Sequence, residues 1–432
     1  MKPWRVCNQA VCDCKVRFQG REWEDPESML GVDVARERIL AVFSPLEPVE
    51  VGLADAVGLV LAHDVVSQVD LPPFRNSAMD GYALRSEDTL DAPIALNIVQ
   101  TIRAGAESPG SIGPGQTARI MTGAAVPEGA DAVIRFEETD ERTGVQALTS
   151  VTISRTVQPG ENVRLAGEVV SEGDVALTAG SRLRPPEIGL LAALNHNTVI
   201  LHRQPRIGVL STGDELVASE GAVAQGQIRD SNAPMLAAAI RRLHGEPIML
   251  GVARDSTREL LDRLGSLDGL DMLITTGGVS VGDYDMVKQA LQTAGTIDIW
   301  QVRMKPGKPL AFGQIGDVPV LGLPGNPVAA LVSFEQFARP AIQTMLGRVD
   351  VSVPEVLATN LSRVENRGGR RHFVRGTLLK EADGYQFESS GSHGSANLLG
   401  MSQSNSFMVV PEGVEVVMSG DLVTVQIPDE GL

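Results

Sequence analysis

Lys305 and Lys308 bracket Pro306 and Gly307 in the short stiff loop Lys305-Pro306-Gly307-Lys308-Pro309. Two ammonium groups held this close repel each other unless an anion lies between them. In an acidic chain the loop reads as an oxyanion clamp, although an exposed turn with solvated lysines would share its composition. It is not a Walker A loop, because the spacing G-x-x-x-x-G-K-[ST] is absent. Three other loops carry glycine with hydroxyl, acid or amide side chains: Ser211-Thr212-Gly213-Asp214-Glu215, Thr275 to Asp285 with Gly277, Gly278, Ser280, Gly282 and Asp283, and Gly322-Leu323-Pro324-Gly325-Asn326-Pro327. Glycine lets backbone N–H groups approach an anion closely, and a helix N-terminus behind the loop adds a favourable dipole. One such loop is an ordinary tight turn. Three in one region point to a cradle for a phosphate-bearing substrate.

Acids cluster in or near these loops: Asp80, Glu215, Asp255, Asp283 and Asp285. Beside a phosphate site, carboxylates hold Mg²⁺ or position water. Asp285 could equally open a helix and Asp255 sit in a turn. Asp80 stands in Asn76-Ser77-Ala78-Met79-Asp80-Gly81-Tyr82, where packing does not account for so many polar residues. Near the C-terminus, Arg367, Arg370, Arg371, His372 and Arg375 form a local basic cluster, and Ser392-His393-Gly394-Ser395 a small polar loop; on their own both read as solvated surface. Cys12-Asp13-Cys14 lacks the second pair or histidines of a metal site and is read as inert. No Ser/His/Asp triad or H-E-x-x-H motif is present.

The elements that must position these residues follow from periodicity. A first helix carries Val32, Ala35, Ile39 and Phe43 on one face, with Asp33 as its cap and Ser44-Pro45 as its end. Residues 49–184 read as irregular and β-rich, with short apolar runs at 94–99, 119–121 and 132–136. Arg184-Pro185-Pro186 opens a short helix. From 205 to 346 strands alternate with helices, which implies βαβ units and a parallel sheet. The strands are expected at 207–210, 248–252, 272–275, 297–302 and 318–323. The helices are expected after a cap at Asn232, after a capping box Ser256-Thr257-Arg258-Glu259, over 285–294, and after a cap at Asn326 with a kink or break at Pro340. Residues 347–432 return to strands, and 414–427 read as a hairpin turning at Ser419-Gly420-Asp421. The fold class is therefore multidomain α/β. A central open α/β domain with a mostly parallel sheet is flanked by irregular β-rich domains and a small C-terminal β domain.

Length and composition bound the function. A chain of 432 residues exceeds one hydrophobic core, so several domains are expected. The formal charge of −17 argues against nucleic acid as a partner. All three cysteines lie at positions 7, 12 and 14, which leaves no disulfide framework and fits a reducing compartment. No apolar run is long enough to span a membrane, and the first residues lack the apolar stretch of a signal peptide, so a cytoplasmic location is expected.

Six of these motifs, taken in order, resemble the molybdopterin molybdenumtransferase family, whose members include the C-terminal domain of gephyrin. They are Asp70-Leu71-Pro72-Pro73-Phe74 through Asn76–Ala83, Arg119-Ile120-Met121-Thr122-Gly123, Ser211–Leu216, Thr276–Gly282, Lys305–Pro309 and Gly322–Pro327. The resemblance runs from about residue 28 to the C-terminus. It implies insertion of molybdate into adenylylated molybdopterin with release of AMP and the help of Mg²⁺. It also implies a homodimer of elongated four-domain subunits with an active site near their interface. By motif, Ser280, Asp285, Lys305, Lys308, Arg375 and Ser395 correspond to molybdate-site residues, and Asp80, Thr122, Glu215, Asp255 and Asp285 to catalytic residues. The substrate is held by Gly213, Asp214, Gly277, Gly278, Ser280, Gly282, Pro324, Gly325 and Asn326. The implied domains are a linking domain of 28–65 and 166–204, an inserted β-rich domain of 66–165, an α/β molybdopterin-binding domain of 205–346 and a β domain of 347–432. Residues 1–27 depart from the family pattern and read as an N-terminal extension, with disorder as one reading of it. Contact with a molybdopterin adenylyltransferase and with molybdoenzyme maturation factors would fit. The rival readings are an adenylyltransferase-like enzyme, which would need only 205–346, and a non-catalytic scaffold related to gephyrin.

Overall fold

The apolar run around Ile207 lies inside a six-stranded sheet whose spatial order is Glu246–Ala253, Arg206–Thr212, Met272–Thr276, Val318–Leu323, Pro309–Ile315, Thr296–Gln301. The structure, a computed structural model, describes residues 29–106, 110–141, 149–218, 220, 222–254, 257–265, 267–278, 293, 295–391, 394 and 396–428. The N-terminal extension with its cysteines, Ser256 of the capping box and nearly all of the helix expected over 285–294 lie outside them. The chain forms two compact units, Pro48–Leu201 and Met1–Glu47 with His202–Leu432.

In the second of these, the first four strands of the six-stranded order are mutually parallel, as the βαβ pattern requires. The last two pairings are antiparallel. The reason is local: Ile315 pairs with Val318 across only Gly316-Asp317, with Gly316 at φ +59°, and so short a link can only join antiparallel strands. The core between sheet and helices is aliphatic, with Leu210, Leu264, Leu273, Ile297 and Val320 buried together.

Helices differ from their expected caps in three places. The first spans Val32–Leu40 and buries Val32, Ala35 and Ile39, but it starts after Gly31 without a side-chain cap. Asp33 instead pairs with Arg371 at 2.7 Å. The helix Asn232–Arg242 is capped from further upstream: one Asp230 carboxylate oxygen accepts the N–H groups of Asn232 at 3.0 Å and Ala233 at 3.1 Å. Asn326 holds the N-cap position without a side-chain cap bond, and the segment after it is not one regular α-helix. Helix Pro327–Ser333 passes through a π-helical stretch Phe334–Ala338 into Arg339–Met345, whose first turn holds Pro340.

The C-terminal strands close on themselves. Arg371–Glu381, Gly384–Ser389, Glu355–Asn360, Leu422–Gln426 and Ser406–Val410 form a ring in which the last strand pairs with the first, around Val374, Leu378, Phe387, Met408 and Val425. The expected hairpin over 414–427 does not form. Val416–Val417 pairs with Val364–Glu365, while Leu422–Gln426 joins the barrel. Buried Asn360 accounts for the separation: its side-chain Nδ2 donates to Met418 O at 2.8 Å and its backbone carbonyl accepts Gly420 N–H at 2.7 Å, filling the place of a hairpin partner.

In Pro48–Leu201, a five-stranded sheet runs Ala132–Arg135, Gly81–Leu84, Gln116–Ile120, Ile94–Ile102, Ser150–Ile153. Both of its faces are covered, one by Tyr82, Leu84, Leu96 and Ile134, the other by Ala83, Ile102, Ile120 and Val133. Gly81 lies so close to the next strand that a Cβ would stand 1.9 Å from Ile134 O. The helix Pro185–Ala193 starts as expected, with the Glu187 carboxylate accepting the Arg184 N–H at 2.8 Å.

Candidate functional site

Three parallel strands end side by side. Ser211 pairs with Thr276, and Thr276 with Leu323, so the loops after Thr212, Thr276 and Leu323 leave one edge of the sheet together. Ligands of open α/β sheets bind beyond this edge. The loops are stitched to one another: Gly277 N–H donates to Leu323 O at 3.1 Å, the Thr212 hydroxyl to Thr276 O at 3.3 Å and the Thr276 hydroxyl to Pro324 O at 3.2 Å. Gly277 adopts φ +92°, and a Cβ there would stand 2.4 Å from Thr212 O, so only glycine fits.

A cavity of about 1020 Å³ opens over these strand ends. Gly213, Glu215, Gly277, Gly278, Pro324, Gly325 and Asn326 line it, as do Asp230 and Asn232 at the start of their helix. Asp214, expected with them, is exposed and does not line it, because the turn after Thr212 sends it outward.

The opposite wall is basic. Met304 and Lys305 pair in parallel with Arg371 and His372, which fastens the lysine loop to the first barrel strand. Gly307, at φ +102°, packs so closely that a Cβ would stand 2.6 Å from Ser333 Oγ. Lys305 is half-buried and Lys308 exposed, both line the cavity, and neither ammonium has a hydrogen bond or ion pair among the described residues. Arg370, just before the barrel strand, and His372 and Arg375 on it also line it. His372 is 2% and Arg375 3% exposed, so the reading of this cluster as solvated surface is corrected for both. The physical reason is that this strand is shared between the barrel and the lysine loop. Arg375 donates from Nε to Ser390 Oγ at 3.3 Å and from Nη1 to Gly394 O at 3.2 Å. Burial pushes its pKa down, yet a guanidinium starts high enough to stay charged. Arg367 and Arg371 turn elsewhere, to Glu365 at 2.8 Å and Asp33 at 2.7 Å.

The lining therefore carries Arg229, Lys305, Lys308, Arg370 and Arg375 against Glu215 and Asp230, in a chain of net charge −17. That local excess selects an anion. The Glu215 carboxylate has no hydrogen bond or ion pair among the described residues and faces the same space. Ser280, Gly282, Asp283, Asp285, Asp255, Ser392, His393 and Ser395 lie outside the described residues.

Asp80 and Thr122 belong to the other unit, Pro48–Leu201, and meet there. One Asp80 carboxylate oxygen accepts the Thr122 N–H at 2.7 Å and the Thr122 hydroxyl at 2.9 Å. These two bonds hold the carboxyl below the usual aspartate range, helped by the Arg119 guanidinium. Arg119 itself is held by Glu141 at 2.8 Å, whose other oxygen accepts the Tyr82 hydroxyl at 2.8 Å.

Sequence reasoning missed Asp230, and it read Asn232 only as a helix cap. A signal was present, since Asp230-Ser231-Asn232 holds three capping residue types in a row, but choosing among them needs the helix start.

Comparison with known proteins covers nearly the whole chain. Residues 30–195 match the model of the MoeA N-terminal region (domain I and II), 208–344 that of a probable molybdopterin binding domain, and 358–427 that of the MoeA C-terminal region (domain IV). A molybdopterin molybdenumtransferase from a Nostoc species is 38% identical over 88% of this chain and 88% of its own. One from Haemophilus influenzae is 36% identical over 92% of this chain and 98% of its own. Among solved structures, a molybdopterin biosynthesis moeA protein from Pyrococcus horikoshii superposes with a TM-score of 0.80 at 28% identity, over 92% of this chain and 100% of that one.

Proposed function

Because the chain belongs to the molybdopterin molybdenumtransferase family, we propose that it inserts molybdate into adenylylated molybdopterin and releases AMP, which completes the molybdenum cofactor. The observation that carries this reading is the pair of uncommitted ammonium groups, Lys305 and Lys308, facing a glycine-lined cavity at the ends of parallel strands. Molybdate is a dianion, and lysine and arginine donors replace part of its hydration. Lys305, Lys308 and Arg375 take that role, joined by Ser280, Asp285 and Ser395. The loops at Gly213, Gly277–Gly278 and Pro324–Asn326 hold the pterin nucleotide, joined by Ser280 and Gly282. Glu215, Asp80, Thr122, Asp255 and Asp285 serve the cleavage of the phosphoanhydride.

Mg²⁺ fits the donor set. It is usually held by one or two carboxylates together with substrate phosphates, and Glu215 offers an uncommitted carboxylate to the cavity. When bound, the ion neutralises charge that develops on the phosphate oxygens. The chain's own groups orient the two substrates against each other, which is where most of the rate gain of such a coupling arises.

The finer organisation is part of the same reading: a homodimer, a cytoplasmic location, contact with the adenylyltransferase that supplies the nucleotide and with molybdoenzyme maturation factors, and four domains divided at about residues 66, 166, 205 and 347. Among the described residues no helix is long and apolar enough to cross a membrane. An adenylyltransferase-like enzyme would not need the N- and C-terminal regions that match here.

The test is AMP release from adenylylated molybdopterin with and without molybdate. Wild-type protein releases AMP in a molybdate-dependent way, and K305A/K308A lowers that release by about a hundredfold or more at unchanged circular dichroism. A wild type with no molybdate-dependent release refutes the transferase, and a double variant with normal turnover refutes the clamp.

A further inference from the structure

Asn232 stands at the first position of its helix, yet its side chain does not cap that helix. The residue is 8% exposed and its amide turns toward the strand ends. Its Nδ2 donates to Thr276 Oγ1 at 2.7 Å and to Gly325 O at 2.8 Å, so both amide hydrogens are used on two different loops. Since Thr276 Oγ1 accepts from Asn232, its own proton is directed to Pro324 O, which closes a small ring between the two loops. The Asn232 backbone is fixed in turn by Asp230. Its Oδ1 is buried with no donor among the described residues, a cost that a residue present only for packing would avoid.

We infer that Asn232 is a positioning residue of the transfer reaction: one amide sets the spacing between the Gly277-Gly278 loop and the Gly325-Asn326 loop, and so the placement of the substrate they hold. The inference rests on the function proposed above and adds to it a residue that touches no reacting atom. Only a planar side chain with two donors on one atom makes both bonds. Aspartate at this place has no donor and sets a negative charge against Gly325 O. Alanine releases both loops.

The experiment measures kcat and KM for molybdate-dependent AMP release in N232A, N232D, T276V and N232A/T276V, per folded molecule as judged by thermal melting. A shift of the loops by an ångström lowers kcat by about tenfold to a hundredfold, while KM changes by less than about threefold. N232D is expected to lose more than N232A, and the double variant no more than the worse single one, because both changes break the same ring. Should N232A fail to fold, N232D and T276V read the same ring. A kcat within about threefold of wild type in the folded variants, or losses that multiply in the double variant, overturns the inference. An active wild type with indifferent Asn232 variants sinks this inference alone; a wild type without molybdate-dependent release sinks the transferase reading and this inference together.

Discussion

At the scale of single residues, charge that is already paired separates from charge that is left for a ligand. Arg367, Arg371 and Arg155 each meet a carboxylate within 3 Å. Lys305 and Lys308 meet no carboxylate and Glu215 no cation among the described residues, and all three face one cavity. Asp80 is the opposite case, a carboxylate held by two Thr122 donors. Its pKa is lowered on folding, so the stabilisation from these bonds is present above the unfolded pKa of about 4 and is lost as the pH falls through the lower folded value. T122V removes one donor, so the Asp80 midpoint in a carboxyl-detected NMR titration is expected to move up toward the ordinary aspartate value. An unmoved midpoint would show that the hydroxyl does not hold the charge. Lysine and glycine types were legible in the sequence as an anion site. The family motif pointed to Arg375, but whether Arg370 or Arg371 enters it was not legible, because the two are neighbours in the chain and only Arg370 faces the cavity while Arg371 pairs with Asp33.

At the scale of elements, helix starts and strand directions were the least legible. Asp230 rather than Asn232 caps Asn232–Arg242, and the difference decides which side chain is left to tie the loops. D230A exposes two helix N–H groups and costs about 1 kcal/mol. Hydrogen exchange read by mass spectrometry over the peptide 228–240 is therefore expected to quicken; unchanged exchange would argue that Ser231 or water replaces the carboxylate. The sequence placed a long helix after Asn326 with a kink or break at Pro340, but not the π-helical stretch that precedes that proline. That stretch buries Glu335 and Gln336: Glu335 finds Arg339 one helical turn on at 3.1 Å, while Gln336 finds Gln426 at 2.8 Å, a partner no local pattern specifies.

At the scale of the whole molecule, the unit Pro48–Leu201 begins and ends on strands that pair with each other, Pro48–Gly52 with Thr198–His202. A unit with joined ends and its own doubly covered sheet is expected to fold alone. Expressed as residues 48–201, it should show dispersed amide NMR signals and one cooperative thermal transition; a collapsed spectrum would contradict this.

Glycine spacing, the Lys305–Pro309 loop and strand–helix alternation were enough to determine an anion-binding α/β chain and its family resemblance, because these constraints act on residues near one another in sequence. Tertiary structure alone decided that His372 joins Lys305, that Asn232 ties Thr276 to Gly325, and that residues 414–427 open into two sheets rather than one hairpin. Those outcomes depend on strand register and on side chains 44 to 93 residues apart, which compete for the same donors only once the chain has folded.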